Sequence, residues 1–226
     1  MQLAIDTSTD TASLALVRDG TVVAELTWRC GQNHTQQLLP NVEYLLRRFS
    51  VSPQDLTGII VARGPGSFNG LRVGVSAAKG LAFSLGIPIV GISSLETEAY
   101  QHAGTGLPIC PVFNAGRGEV CAAVYRRRRG RWLRLVPEHV GSVEALCSGI
   151  GSKTVFCGEH VPAIAAQLRQ YLGSKAVVPS ATTGLRRASY LAELGLRRLA
   201  AGDTDDVATL QPAYLRRPSI TTARHR

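Results

Sequence analysis

The order of apolar patterns constrains the fold of this chain more than any single motif does. Leu3-Ala4-Ile5 forms an apolar run that enters the polar turn Asp6-Thr7-Ser8-Thr9-Asp10, and the run resumes over 12–17. Asp19-Gly20 is a hairpin signal, and residues 21–28 follow with β-type composition. Leu38, Leu39, Val42, Leu45, Leu46 and Phe49 then recur at three- and four-residue steps, which predicts a helix over 33–49. Residues 58–62 and 87–92 read as buried strands. A helix follows each, one capped by Ser67 and running to about residue 85, the other from Ser93-Ser94 through Tyr100. After a joint at 102–106 the order begins again. Strands are expected at 108–113, 119–125, 132–136, 154–157 and 176–178, and helices at 143–147, 161–172 and 187–201. A βββαβα theme written twice predicts an α/β fold of two lobes, each a mixed sheet with flanking helices. The expected division is a lobe over 1–103, a second over 104–217 and a basic tail over 218–226.

Composition narrows the class. Of 226 residues, 45% are hydrophobic and 18% charged, which fits a folded globular chain. No apolar run has the length of a membrane helix. Met1 to Asp6 carries no basic stretch and meets an acid early, so no secretory leader is expected. The cysteines are Cys30, Cys110, Cys121, Cys147 and Cys157, an odd number with no C-x-x-C spacing. That argues against disulfides and structural zinc, and for buried thiols in a reducing cytoplasm. The net charge of +9 comes almost wholly from arginine, and points to RNA or an acidic protein as partner.

Four segments carry candidate chemistry. The turn Asp6-Thr7-Ser8-Thr9 offers hydroxyls and amides to an anion, as well as ordinary turn chemistry. The helix after Gly64-Pro65-Gly66-Ser67 carries a stripe of small residues: Gly70, Gly74, Ala77 and Ala78. Interior glycines cost a helix about 1 kcal/mol each, so close packing should offset them, against a partner or within this chain. Arg126, Arg127, Arg128, Arg129 and Arg131 sit at a predicted hairpin tip, where a solvated turn and a contact with RNA phosphates are both open. The glycine-rich stretch 148–154 lacks the glycine before Lys153 that a P-loop needs, and is read as a surface turn.

Several motifs in one order resemble a known family. They are Leu3-Ala4-Ile5-Asp6-Thr7-Ser8-Thr9, His34-Thr35-Gln36-Gln37-Leu38-Leu39-Pro40 and Gly64-Pro65-Gly66-Ser67-Phe68-Asn69-Gly70-Leu71-Arg72-Val73-Gly74. Ala78-Lys79-Gly80-Leu81, Gly91-Ile92-Ser93-Ser94-Leu95-Glu96 and Pro212-Ala213-Tyr214-Leu215-Arg216 follow. The chain resembles the TsaB (YeaZ) family, noncatalytic paralogues of the TsaD/Kae-type enzymes that build threonylcarbamoyladenosine in tRNA. The resemblance implies an actin-like (ASKHA) fold and a subunit that binds and activates a TsaD-type enzyme. A TsaE-type ATPase is a further expected partner, tRNA is reached through the complex, and a homodimer forms where the partner is missing. It implies an interface drawn from Leu38, Leu39, Val42, Leu46, Gly70, Leu71, Gly74, Val75 and Ala78. Residual ligand contacts would come from Asp6, Thr7, Ser8, Thr9 and Arg72.

The enzyme relatives hold metal through His-x-x-x-His, one helical turn apart. Here His34 is followed four residues on by Leu38, so no metal site and no catalytic residue is expected, with ATP and metal left to the partner. The family's second-lobe block carries a carboxylate where this chain has Asn114, and a threonine is usual where Asn69 stands. An independent actin-like ATPase or kinase, a basic RNA-binding module and a self-associating scaffold are the rival readings.

Overall fold

In a computed structural model, residues 1–180 and 185–215 are described. The expected basic tail, 218–226, lies outside them. Among the described residues, ten strands form two five-stranded sheets, flanked by six α-helices. The first sheet comprises β1 (Gln2–Asp6), β2 (Thr11–Arg18), β3 (Thr21–Arg29), β4 (Gly58–Gly64) and β5 (Ile89–Ser93), in the order β3-β2-β1-β4-β5. The second comprises β6 (Ile109–Gly116), β7 (Glu119–Arg128), β8 (Arg131–Ser142), β9 (Thr154–Cys157) and β10 (Ala176–Val177), in the order β10-β9-β6-β7-β8. In each sheet the first three strands run antiparallel and the last two join them in parallel. The second sheet therefore repeats the topology of the first. This is the two-lobe, actin-like α/β architecture.

Side-chain alternation places two cores on the first sheet. Leu3 and Ile5 face one way, toward α1 (His34–Arg48) and α2 (Phe68–Leu85), with Leu38, Val42, Leu45, Leu46, Val75 and Ala78. Ala4, Ile60 and Ala62 face the other way, toward Leu191, Ala192 and Leu194 of α6 (Ala188–Ala200). The second sheet is covered by α4 (Val143–Ser148) and α5 (Val161–Leu172) on one face, and by α3 (Ser94–Tyr100) on the other. Polar caps start three helices. Ser67, Ser93 and Ser142 accept the backbone N–H of Gly70, Glu96 and Ala145.

Two expectations change here. A second lobe running unbroken over 104–217 is not what forms, because α6 returns to the first sheet while α3 reaches across to β6 and β7. The small Ala4 and Ala62 faces, with Gly195 against Ile60, admit α6 at close range. An amphipathic pattern shows that a helix has a buried face, but not which sheet buries it. The second correction concerns the interface set. Leu38, Val42, Leu46, Gly70, Leu71, Gly74, Val75 and Ala78 are all buried within this chain, and Leu39 alone of the nine is exposed. A side chain already removed from water by its own fold adds no further area to a partner contact.

Candidate functional site

The loop between β1 and β2 lies at the cleft between the lobes, and most of its polar groups are already used. Asp6, Thr7 and Ser8 are buried. Asp6 Oδ1 accepts the backbone N–H and the hydroxyl of Ser8, at 2.9 and 2.7 Å. Thr7 Oγ1 donates to the Gly70 carbonyl at 2.8 Å. Ser67 donates its backbone N–H to the Ser8 carbonyl at 2.7 Å. A Cβ added at Gly66, Gly70 or Gly74 would lie 2.0, 2.2 or 2.1 Å from Ser8 O, Thr7 O or Thr7 Oγ1. The glycine stripe is thus the notch into which the loop at 7–8 fits, and it is filled from within.

His34 closes the other side. Its Nε2 lies 2.8 Å from the Thr9 carbonyl oxygen, and a carbonyl only accepts, so that nitrogen carries the proton. His34 thus ties α1 to the loop.

Arg186, which no sequence motif marked, completes the arrangement. Its guanidinium pairs with Asp6 through Nε and, at 3.3 Å, through Nη2, which also donates to Thr9 Oγ1 at 3.0 Å. Arg186 and Asp6 are almost wholly buried. Glu98 lies beyond, its Oε2 3.9 Å from Arg186 Nη1. Burial opposes the charge on Arg186, but Asp6, Glu159 and Glu98 together hold its pKa above the ordinary value. The cation beside the carboxylate at the end of β1 is therefore supplied by the chain itself. In front of it the cleft is a cavity of about 340 Å³ lined by Thr9, Asp10, Ser67, Asn114, Glu159 and His160, among others. Asn114 is turned to its own backbone, accepting from Gly116 N at 2.8 Å.

Burial pushes the Glu98 carboxyl from 4.5 up to about 7, over the opposing pull of Arg186; Glu159 and Asp6 add to the rise. A carboxyl raised on folding favours the fold below its unfolded pKa, and that advantage is lost as pH rises through the folded one. Glu98→Gln should therefore gain thermal stability relative to the wild type between pH 5 and pH 8, as melting curves at the two values will show. Equal offsets at both would mean that the carboxyl is solvated.

The remaining site residues separate. Arg72 stacks over Phe68 at 5.0 Å, and Phe68 packs on Tyr214; Arg72 is not among the residues that line the cleft. Of the hairpin arginines, Arg126 donates to the Gly106 carbonyl, and Arg127 lies over the Tyr100 ring and donates to its hydroxyl. Arg128, Arg129 and Arg131 alone are exposed at the tip, where Arg129 and Gly130 have φ of 50° and 76°. The expected P-loop mimic is an exposed turn from α4 into β9.

Comparison with known proteins decides the family. Two Pseudomonas aeruginosa structures superpose with TM-scores of 0.82 and 0.79 at 26% identity, each over 95% of this chain and 99% of theirs. One is YeaZ and the other is described as similar to the peptidase YeaZ. A family model described as TsaD, tRNA N6-adenosine threonylcarbamoyltransferase, matches residues 20–223. The tRNA threonylcarbamoyladenosine biosynthesis protein TsaB of Bacillus subtilis (strain 168) is 38% identical over 217 residues, 95% of this chain and 93% of that protein. The chain belongs to the TsaB (YeaZ) family. Within that TsaB frame, the motifs at 3–9, 34–40 and 64–74 meet at one place: His34 touches Thr9, Ser67 touches Ser8, and Thr7 touches Gly70. They are legible in sequence because they pack on each other. Arg186 carries no such signature.

Proposed function

We propose that this TsaB-family chain serves tRNA threonylcarbamoyladenosine biosynthesis as a noncatalytic subunit that binds and activates a TsaD-type enzyme. The observation that carries this reading is the filled cleft. Arg186 neutralises Asp6, the proton on His34 Nε2 is committed to Thr9, and Leu38 stands where a second imidazole would be needed. The cavity in front is lined by Asp10 and Glu159, whose charge repels phosphate. ATP and metal then belong to the partner enzyme, a TsaE-type ATPase joins the assembly, and tRNA is met through the complex. No helix among the described residues is long and apolar enough to cross a membrane.

The proposed contact surface is the outer face of α1 and α2, which pack side by side on the first sheet. That face exposes Leu39, Tyr44 and Phe83, the last at 81%. It also contains Gly80, which is exposed and has no atom within 4 Å of an added Cβ. Unlike Gly70 and Gly74, this glycine is not explained by the chain's own packing. The stripe offered to a partner is Val73, Ser76, Ala77, Gly80 and Phe83, one helical face displaced from the stripe that the sequence predicted.

Gly80→Arg tests this surface. It replaces a poor helix former at an open position, so the fold should be up to about 1 kcal/mol more stable. Co-purification with the TsaD-type enzyme should nevertheless fall at least tenfold. Undiminished capture would exclude this face.

A further inference from the structure

We propose that Glu98, His102 and Cys157 form a binding site for one Zn²⁺ ion, next to the Asp6–Arg186 pair. The candidate ligand atoms of the three residues all lie within 4.8 Å of one another. Glu98 lies in α3, His102 in the turn two residues past the end of that helix, and Cys157 is the last residue of β9. The tight turn at Gly158, with φ of 106° and an added Cβ 2.6 Å from the Val112 carbonyl, fixes where β9 ends and so where the thiol sits.

Glu98 Oε1 accepts from Gln101 Nε2 at 2.7 Å, but two other atoms of the cluster make no hydrogen bond among the described residues. Glu98 is fully buried, and its Oε2 makes no hydrogen bond among the described residues; neither does the buried Nε2 of His102. Buried polar atoms are nearly always satisfied, so two such atoms converging on one thiol mark a place for an occupant. Cys157 Sγ makes one long contact, 3.8 Å to the Glu98 carbonyl.

The donor set selects the ion. Thiolate, imidazole and carboxylate suit Zn²⁺, whereas Mg²⁺ and Ca²⁺ take oxygen ligands. On binding, the Cys157 thiol releases its proton to solvent, and the thiolate with the Glu98 carboxylate balances the dication. His102 and Cys157 also line a cavity of about 340 Å³ with Thr11, Arg29 and Glu159, which gives a route in and room for a fourth ligand. Arg186 Nη1, 3.9 Å from Glu98 Oε2, is the resident competitor, and Asp6 remains as its counter-ion once Zn²⁺ takes Glu98. The other available occupant is a water molecule bridging the same orphans, and it needs no sulfur.

Co²⁺ reports on the site directly. Titrating the metal-free full chain should give one equivalent of tetrahedral d–d absorption with a thiolate-to-cobalt charge-transfer band, and Zn²⁺ should abolish both. Cys157→Ser should lose the charge-transfer band, and His102→Gln should weaken binding at least tenfold, each with an unchanged far-ultraviolet circular dichroism spectrum. Zn²⁺ should also raise the melting temperature of the wild type. Absence of a thiolate band in the wild type would overturn the proposal whatever the variants do, as would a band that survives in Cys157→Ser.

Discussion

Replacing Arg186 with methionine should destabilise the protein by about 3–5 kcal/mol, because Asp6 and Glu98 then share a buried environment without a cation. Methionine keeps most of the packing volume beside Phe113, so the loss isolates the charge. A buried ion pair adds little net stability, since desolvation of both groups offsets their attraction; its weight appears when one partner goes. Against a total stability of about 5–15 kcal/mol, the expected loss is a third or more. Urea unfolding will measure it. Asp6→Asn combined with Arg186→Met should recover part of the loss, since the two residues form one coupled unit. A single variant as stable as the wild type would mean that Arg186 does not neutralise Asp6, and the proposal of a filled cleft would lose its main support.

Gly70→Ala should lower stability by about 2–3 kcal/mol, although alanine is the better helix former by about 1 kcal/mol. Sterics decide the sign. The new methyl group would meet the Thr7 carbonyl oxygen at 2.2 Å and His34 Nε2 at 3.1 Å. The loop cannot retreat without breaking the 2.7 Å bond from Ser67 N to Ser8 O and the 2.8 Å bond from Thr7 Oγ1 to Gly70 O. Gly80→Ala, on the open face of the same helix, should instead gain up to about 1 kcal/mol. Chemical denaturation of the two variants side by side separates packing from propensity. If Gly70→Ala matched Gly80→Ala, the loop between β1 and β2 would not sit against α2 as described.

The contrast between those glycines shows what the sequence could convey. Periodicity placed the strands and helices well: helix 161–172 and strand 154–157 coincide with α5 and β9, and the repeated theme became two sheets of matching topology. The small-residue stripe on α2 was equally visible, but a notch read from sequence does not say what fills it. Here a loop sixty residues upstream fills Gly70 and Gly74, while Gly80 is left open. Arg186 was invisible for a related reason. It enters the cleft from the segment before α6, and that segment reaches Asp6 because α6 covers the first sheet rather than its own. Arg127 looked like part of a basic tip, yet its side chain lies against Tyr100. The Glu98 and His102 spacing was present in the sequence, but the third member, Cys157, is brought to them only by the pairing of β9 with β6 in front of α3. Local patterns survive reading one residue at a time; contacts made across the two lobes do not.

The most direct test of the proposed role is threonylcarbamoyl transfer to tRNA, assayed with the purified chain alone, with a TsaD-type enzyme alone and with both. The expected result is no transfer by this chain, little by the enzyme alone and at least a tenfold gain when the two are combined. Transfer by this chain unaided, or an enzyme equally active without it, would contradict the account.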